Sequence, residues 1–414
     1  MAAPLPAESR RLLAMIGSLY LVQGLPVGLA FQAYPVLLRD GGAPLDLIAL
    51  VPLASLPWVL KFCWAPLVEN HWSPRLGRRR SWILPMQALL ALGLAAMALL
   101  PFTAANAPAL LALVALTSLV GATQDIATDG LASERLSDSG LTHINTFQVA
   151  GFMVGMLAGG PGAMVGIATL GHQATLLGLA LLVLLCGGPV ALWREPPPPR
   201  GRPQPASLRA FLRRPGALPF LALGMSATMG GAVSFGVAKL FLIDAGWPLD
   251  AVGTLSGTGN FLMIIAGCAL AGLAARRFGP WLTLLAGGVL VGTSSLAWAM
   301  LALDPARAID ATPAVWGLAT ASGLGIGLCT VASYTLLMGF ARQGDQPATD
   351  YAVFQGLQTL GEILAMAAAT AVAARAGYPA ALSIGLVIAL ILLALLPRVR
   401  RREPSPTASA QGAE

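Results

Sequence analysis

The chain has 414 residues, of which 56% are hydrophobic and only 10% charged, with 47 glycines and 31 prolines, and its mean hydropathy is +0.74. That composition excludes an ordinary soluble domain. With about 20 apolar residues needed to cross roughly 30 Å of hydrocarbon, it supplies about twelve membrane spans joined by short loops. The net charge of +7 would suit nucleic acid in a soluble protein, but here the basic residues fall between apolar runs, where they orient spans beside anionic lipid.

The first apolar run follows Arg10-Arg11 and extends from Leu12 to Leu38. It is too long for a signal-peptide core of about 7 to 15 residues, so it is expected to remain as span one. Charged and Pro/Gly-rich breaks place the first six spans near 12–38, 46–68, 81–101, 108–131, 143–168 and 172–193. The second six fall near 215–243, 248–273, 281–303, 313–340, 351–374 and 378–397. The expected fold is therefore an all-α membrane protein. Residues 1–193 form an N-terminal bundle, 194–214 a cytoplasmic linker with six arginines, 215–398 a C-terminal bundle and 399–414 a disordered cytoplasmic tail. With the N-terminus inside, 20 of the 25 Lys and Arg residues lie in cytoplasmic segments and only Arg39, Arg307 and Arg375 in outer loops. Both termini are accordingly expected in the cytoplasm.

The two halves repeat each other. Asp40, Gly42, Pro44, Leu45 and Asp46 recur as Asp244, Gly246, Pro248, Leu249 and Asp250 at a constant offset of 204, and Phe147-Gln148 recurs as Phe354-Gln355 at an offset of 207. Two parallel six-helix repeats follow, an arrangement in which substrate sites lie near the midplane where the halves meet and rocking alternates access. The Pro-Leu-Asp signature itself suits helix initiation.

Charges inside spans cost about 2.5 to 3.5 kcal/mol each on insertion scales and mark candidate functional sites. Glu362 lies about eleven residues into its span, roughly 17 Å along the helix, and is the first choice for a proton carrier. Asp125 and Asp129 are four apart and share a helix face, with Gln124 beside the first. Lys61 and Asp125 lie at similar depth and are expected to pair, whereas Asp129, nearer the interface, is expected to serve the inner gate. Lys239 is five residues before Asp244, so it either snorkels or faces the pathway and attracts anions. Polar and aromatic residues within spans complete the substrate-binding candidates: Tyr20, Gln23, Gln32, Trp58, Gln148 and Gln355. Gly151, Gly155 and Gly159 recur every fourth residue, a spacing for close helix packing. The cysteines, Cys63, Cys186, Cys268 and Cys329, fall in apolar stretches and are expected to pack. No histidine set suits a metal, and no phosphate-binding loop is present, so neither a protein-bound metal, a cofactor nor direct ATP drive is expected.

Ala65-Pro66-Leu67-Val68-Glu69 followed by Leu76-Gly77-Arg78-Arg79, and Gly272 to Gly279 in the second half, resemble the loop motif of the major facilitator superfamily. They depart from it in Glu for Asp, Ala for the first Gly, an insertion with His71, Trp72 and Pro74, and Arg where the second acid would stand. The resemblance implies a gating role for Glu69, Arg78 and Arg79. Their position on the inner side, with Arg135, is that of an acid-base network able to hold a gate closed. The run from Leu60 to Leu67, the arginines at 78 to 80, and Gly121-Ala122-Thr123-Gln124-Asp125-Ile126-Ala127-Thr128-Asp129 are similar to the muropeptide-permease branch. Within it the chain, including Leu19 to Pro26, most resembles single-subunit siderophore permeases of the rhizobactin and pyochelin type. That resemblance implies import of a ferric siderophore across the bacterial inner membrane by a functional monomer, with iron carried only inside the substrate. Proton coupling is expected, because one charge moved down 100 mV is worth about 2.3 kcal/mol. Uptake of muropeptides or another amphipathic metabolite is the alternative. An intramembrane enzyme using Asp125 and Asp129 would not explain the six-plus-six repeat, and a ligand sensor without transport would bind siderophore yet show no accumulation.

Overall fold

In a computed structural model, residues 7–34, 37–38, 41, 54, 56–136, 138–196, 205–247, 249–305 and 312–401 are described. Among them there is no β-strand, and ten helices are long and apolar enough to cross a membrane. The last, Pro347–Arg400, is two spans joined end to end, because Gly377 at φ +82 breaks the helix between the predicted spans 351–374 and 378–397. A positive φ is costly for any residue with a Cβ, and glycine takes it freely. Predicted span two is described only at Ala54 and from Leu56 onward. There it divides into Leu56–Leu60, a tight turn Lys61–Cys63, and Ala65–Asn70. Pro66 explains the departure from one continuous helix: it lacks the N–H that would bond back one turn, and it instead sits in the first turn of the next helix. The first-half copy of the Pro-Leu-Asp repeat lies outside the described residues, as do Pro248 and the chain beyond Arg401. Residues 399 and 400, expected in the tail, still belong to the last helix.

The chain forms two compact units. The first comprises Met1–Leu208 with Met338–Gly356, the second Arg209–Leu337 with Leu357–Glu414. In the first, Ala7–Gly28 lies along Asp138–Leu157. The glycine row explains how closely: a Cβ on Gly155 would stand 2.0 Å from the Leu21 carbonyl oxygen, and one on Gly159 2.0 Å from that of Leu25. Both helices then widen into π-turns that touch, Leu29–Ala33 and Ala158–Gly162. Pro161 lies inside the second, where the widened ladder absorbs its missing donor. Leu90, Leu94, Leu110, Leu176 and Val183 build the apolar core beside them. The second unit packs Ala217–Asp244 against Pro280–Leu301, with Val237, Phe241, Trp298 and Leu382 in its core.

Large apolar side chains also cover the outside, among them Leu92, Leu185, Leu192 and Leu390. Such a surface matches hydrocarbon as solvent. Of the cysteines, all free, Cys268 and Cys329 are buried, Cys186 is half-buried and Cys63 is exposed. The packing expectation therefore fails for Cys63, which the turn after Leu60 leaves on the surface.

Replacing Gly155 with valine should lower stability by about 1 to 3 kcal/mol, because the added carbons must push Leu21 away. A thermal melt of the purified protein in detergent checks this, and a melt equal to the unchanged protein would contradict the contact.

Candidate functional site

The helix Ala107–Arg135 is buried on every side from Val120 to Ser133, so each polar group on that stretch must find a partner inside the protein. Asp125 finds Lys61. The turn after Leu60 carries Lys61 inward to 3% exposure, and its ammonium donates to Asp125 Oδ2 and to Gln355 Oε1. The same ammonium lies 5.9 Å from the ring centre of Trp58, which meets Phe152 edge to face at 6.0 Å.

One turn further on, Asp129 Oδ1 accepts from the Tyr20 hydroxyl at 2.7 Å and from Gln148 Nε2 at 3.2 Å. The Tyr351 hydroxyl donates in turn to Gln148 Oε1 at 3.3 Å. Asp129, expected nearer the inner gate, is hydrogen-bonded within this polar centre. Asp125 lies one turn before Asp129 on the same helix face. All these residues lie in the first unit, because Tyr351 and Gln355 come from the stretch Met338–Gly356. Both glutamines of the Phe-Gln repeat therefore take part.

Four polar groups of this centre remain without a partner among the described residues: Asp129 Oδ2, the Trp58 indole N–H, and both ends of the Gln23 and Gln124 amides. Gln23 is 1% exposed and Gln124 0%. Gln23 lies three residues from Tyr20 on one helix face, and Gln124 adjoins Asp125. Unpartnered buried amides cost about 1 to 3 kcal/mol each. The side chain of Gln32 lies outside the described residues.

A second charged cluster sits beyond the polar centre. Arg78 donates to Glu69 at 2.5 Å and to Glu134 at 2.7 Å, and Arg79 to Glu69 at 3.0 Å and Glu134 at 2.6 Å. Arg79 is completely buried. Burial works against its charge, and Glu134 and Glu69 more than offset that, so its proton is held more firmly than on a free arginine. Gly130 provides the room, since a Cβ there would stand 2.4 Å from the guanidinium carbon. Glu69 also accepts from the Thr349 backbone N–H at 3.2 Å, in the first turn of Pro347–Arg400, where the helix dipole favours an anion. Glu195 accepts from the backbone N–H groups of Arg79 and Arg80 at 3.0 to 3.1 Å and so caps Arg80–Ala98. Gly77, at φ +101, brings the chain within reach of Glu195.

Glu69, Arg78 and Arg79 are joined as expected. The acid that completes them is Glu134, while its neighbour Arg135 turns to the Pro196 carbonyl at 2.7 Å. Adjacent helix positions point about 100° apart, so only one of the pair can face the arginines. The residues missed by sequence reasoning are Glu134, Glu195 and Tyr351. Tyr351 stands three residues before the repeated Phe354-Gln355, a signal available in principle; nothing local marks Glu195.

In the second unit, Glu362 is half-buried beside the Thr228 hydroxyl, with no ion pair among the described residues. Lys239 lines a narrow cleft with Ser256, Asn260 and Trp298. Among the described residues no three His, Cys, Asp or Glu side chains are placed to hold a metal.

The structure matches the fucose:proton symporter of E. coli with a TM-score of 0.70 at 14% identity, covering 95% of this chain and 98% of that one. It matches a bacterial homologue of the iron transporter ferroportin with a TM-score of 0.68 at 16% identity, covering 96% and 100%. This is the major facilitator fold. The family described as acetyl-coenzyme A transporter 1 matches residues 12–159. The anhydromuropeptide permease of Escherichia coli K12 is 29% identical over 349 residues, covering 82% of this chain and 70% of that protein. The chain thus has the major facilitator fold, with helices long and apolar enough to cross a membrane many times, and is similar over most of its length to that permease.

Replacing Glu134 with alanine should cost about 3 to 5 kcal/mol, because two buried guanidinium groups lose a shared counter-ion. Replacing Glu195 with alanine should cost about 1 to 2 kcal/mol, the loss of a helix cap. Melting curves of the two variants in detergent compare these, and the reverse order would contradict the roles assigned.

Proposed function

We propose that this protein is a proton-coupled importer in the bacterial cytoplasmic membrane, working as a monomer with both termini in the cytoplasm, and that it carries an anhydromuropeptide-like solute. The observation that carries the reading is the buried polar centre of the first unit, a Lys61–Asp125 ion pair beside Asp129 with the amides of Gln23 and Gln124 unpartnered. An anhydromuropeptide carries hydroxyls and amides that suit those groups, and a sugar ring that suits the Trp58 face. The relationship to the anhydromuropeptide permease supports this substrate class ahead of a ferric siderophore. The siderophore, expected from the sequence resemblance, is the second reading.

Coupling follows from proton competition for one site. A proton taken up on the Asp125–Asp129 pair weakens the hold of Lys61 on Asp125 and frees both Lys61 and Gln355 for rearrangement. Tyr20 and Gln148 keep Asp129 oriented meanwhile. Glu362, half-buried and without a cation partner among the described residues, is a second proton carrier in the other unit. The cluster of Glu69, Arg78, Arg79 and Glu134 serves as the cytoplasmic gate, closed by four charge-assisted contacts and opened when they part. No cofactor enters this scheme, and iron belongs to it only as substrate in the second reading.

Uptake into proteoliposomes under an imposed inward proton gradient tests the proposal, with labelled anhydromuropeptide and labelled ferric pyochelin offered in parallel. Gradient-driven accumulation of the anhydromuropeptide is expected, up to about 40-fold for one proton at 100 mV. Asp129→Asn should retain ligand binding and lose the gradient dependence at least tenfold. Accumulation of the ferric siderophore alone would replace the substrate assignment, and accumulation indifferent to the gradient would remove the coupling.

A further inference from the structure

We infer that Ala206 and Ser207 of the linker form a staple across the inner gate, with Asn70 and Gln346 as the positioning residues that hold it, so that the gate parts only when the staple lets go. The inference rests on the gate reading above and adds what ties the two sides of the gate together.

Ala206 and Ser207 lie outside any helix, so their backbone groups need partners from elsewhere. Each residue carries one donor and one acceptor, and the amides of Asn and Gln are the neutral side chains that offer both in return at matching reach. Two such amides meet the two successive residues. The Ala206 N–H donates to Asn70 Oδ1 at 2.7 Å, and Asn70 Nδ2 donates back to the Ala206 carbonyl at 2.9 Å. The Ser207 N–H donates to Gln346 Oε1 at 2.8 Å, and Gln346 Nε2 donates back to the Ser207 carbonyl at 3.1 Å. Gln346 Nε2 also donates to Asp350 Oδ1 at 2.7 Å, which fixes the amide. Ala206 and Gln346 are both buried, so water competes little for these bonds.

The two amides stand on the two sides of one gate contact. Asn70 follows Glu69 as the last residue of Ala65–Asn70. Gln346 directly precedes Pro347–Arg400, whose Thr349 backbone N–H donates to that same Glu69. Ala206 and Ser207 thus bridge the elements that Glu69 joins. The other described end of the linker is tied nearby, where Glu195 accepts from the backbone of Arg79 and Arg80 and the Pro196 carbonyl accepts from Arg135. All of these residues belong to the first unit. The two amide pairs act in series, so the loss of either one opens the bridge.

Thr349 is completely buried, and a cysteine in its place reports the parting of the contact with Glu69. In the full chain in detergent, with the exposed Cys63 and half-buried Cys186 changed to alanine, the rate at which N-ethylmaleimide labels Thr349→Cys is followed by mass spectrometry. Asn70→Ala should raise that rate about tenfold, the worth of two net hydrogen bonds, and so should Ser207→Pro, which removes the N–H that Gln346 accepts. Both changes together should raise it no further. Effects that multiply would mean two independent contacts and overturn the staple, as would an unchanged rate in protein that melts normally. Gln346→Ala makes the second cut if Ser207→Pro does not fold. Glu134→Gln weakens the arginine cluster and leaves both amide pairs intact. Faster labelling in that variant with no response to Asn70→Ala or Ser207→Pro would overturn the staple alone. The opposite pattern would refute the arginine cluster as the gate and leave the staple standing.

Discussion

Hydrocarbon does not tolerate an unpaired charge, and the Lys61–Asp125 pair is where this chain meets that constraint most directly. Removing either partner would leave the other buried and uncompensated, so the local backbone is arranged around keeping them together. The turn at Lys61–Cys63 exists where Pro66 forbids a continuous helix, and it delivers the ammonium inward. Gln355 adds a neutral acceptor to the same ammonium, so Lys61 answers both to a charge on one helix and to a dipole on another.

The polar centre and the arginine cluster illustrate two ways of burying charge. Around Arg79 every formal charge is matched, two guanidinium groups against Glu69 and Glu134, and the geometry is closed. Around Asp129 the accounting is left open, with one carboxylate oxygen and two nearby glutamine amides unpartnered among the described residues. A closed network resists change and suits a gate with two discrete states. An open one costs stability and is kept where a ligand or a proton completes it.

The helix contacts that hold these sites in place are backbone to backbone. Gly155 and Gly159 bring Asp138–Leu157 against Ala7–Gly28, which fixes Gln148 and Tyr20 on either side of Asp129. In a membrane, where apolar side chains gain little by leaving lipid, such close approach is a main source of helix association. The paired π-turns continue the contact where Pro161 interrupts regular hydrogen bonding.

The amino-acid sequence by itself determined the membrane class, nearly every span, the internal repeat, the packing role of the glycine row and the pairing of Lys61 with Asp125, because each depends on composition, on period or on depth counted along a helix. It also led to Glu69, Arg78 and Arg79 as a group. Only the tertiary structure decided that Glu134 and not Arg135 faces them, that Glu195 returns to cap the helix after Arg79, and that Tyr351 and Gln355 join Asp129 and Lys61 from more than 200 residues away. Those choices depend on helix rotation and on long-range contact. Rotation about a helix axis is invisible to a count of residues along it, and no local spacing records which distant helix will stand alongside.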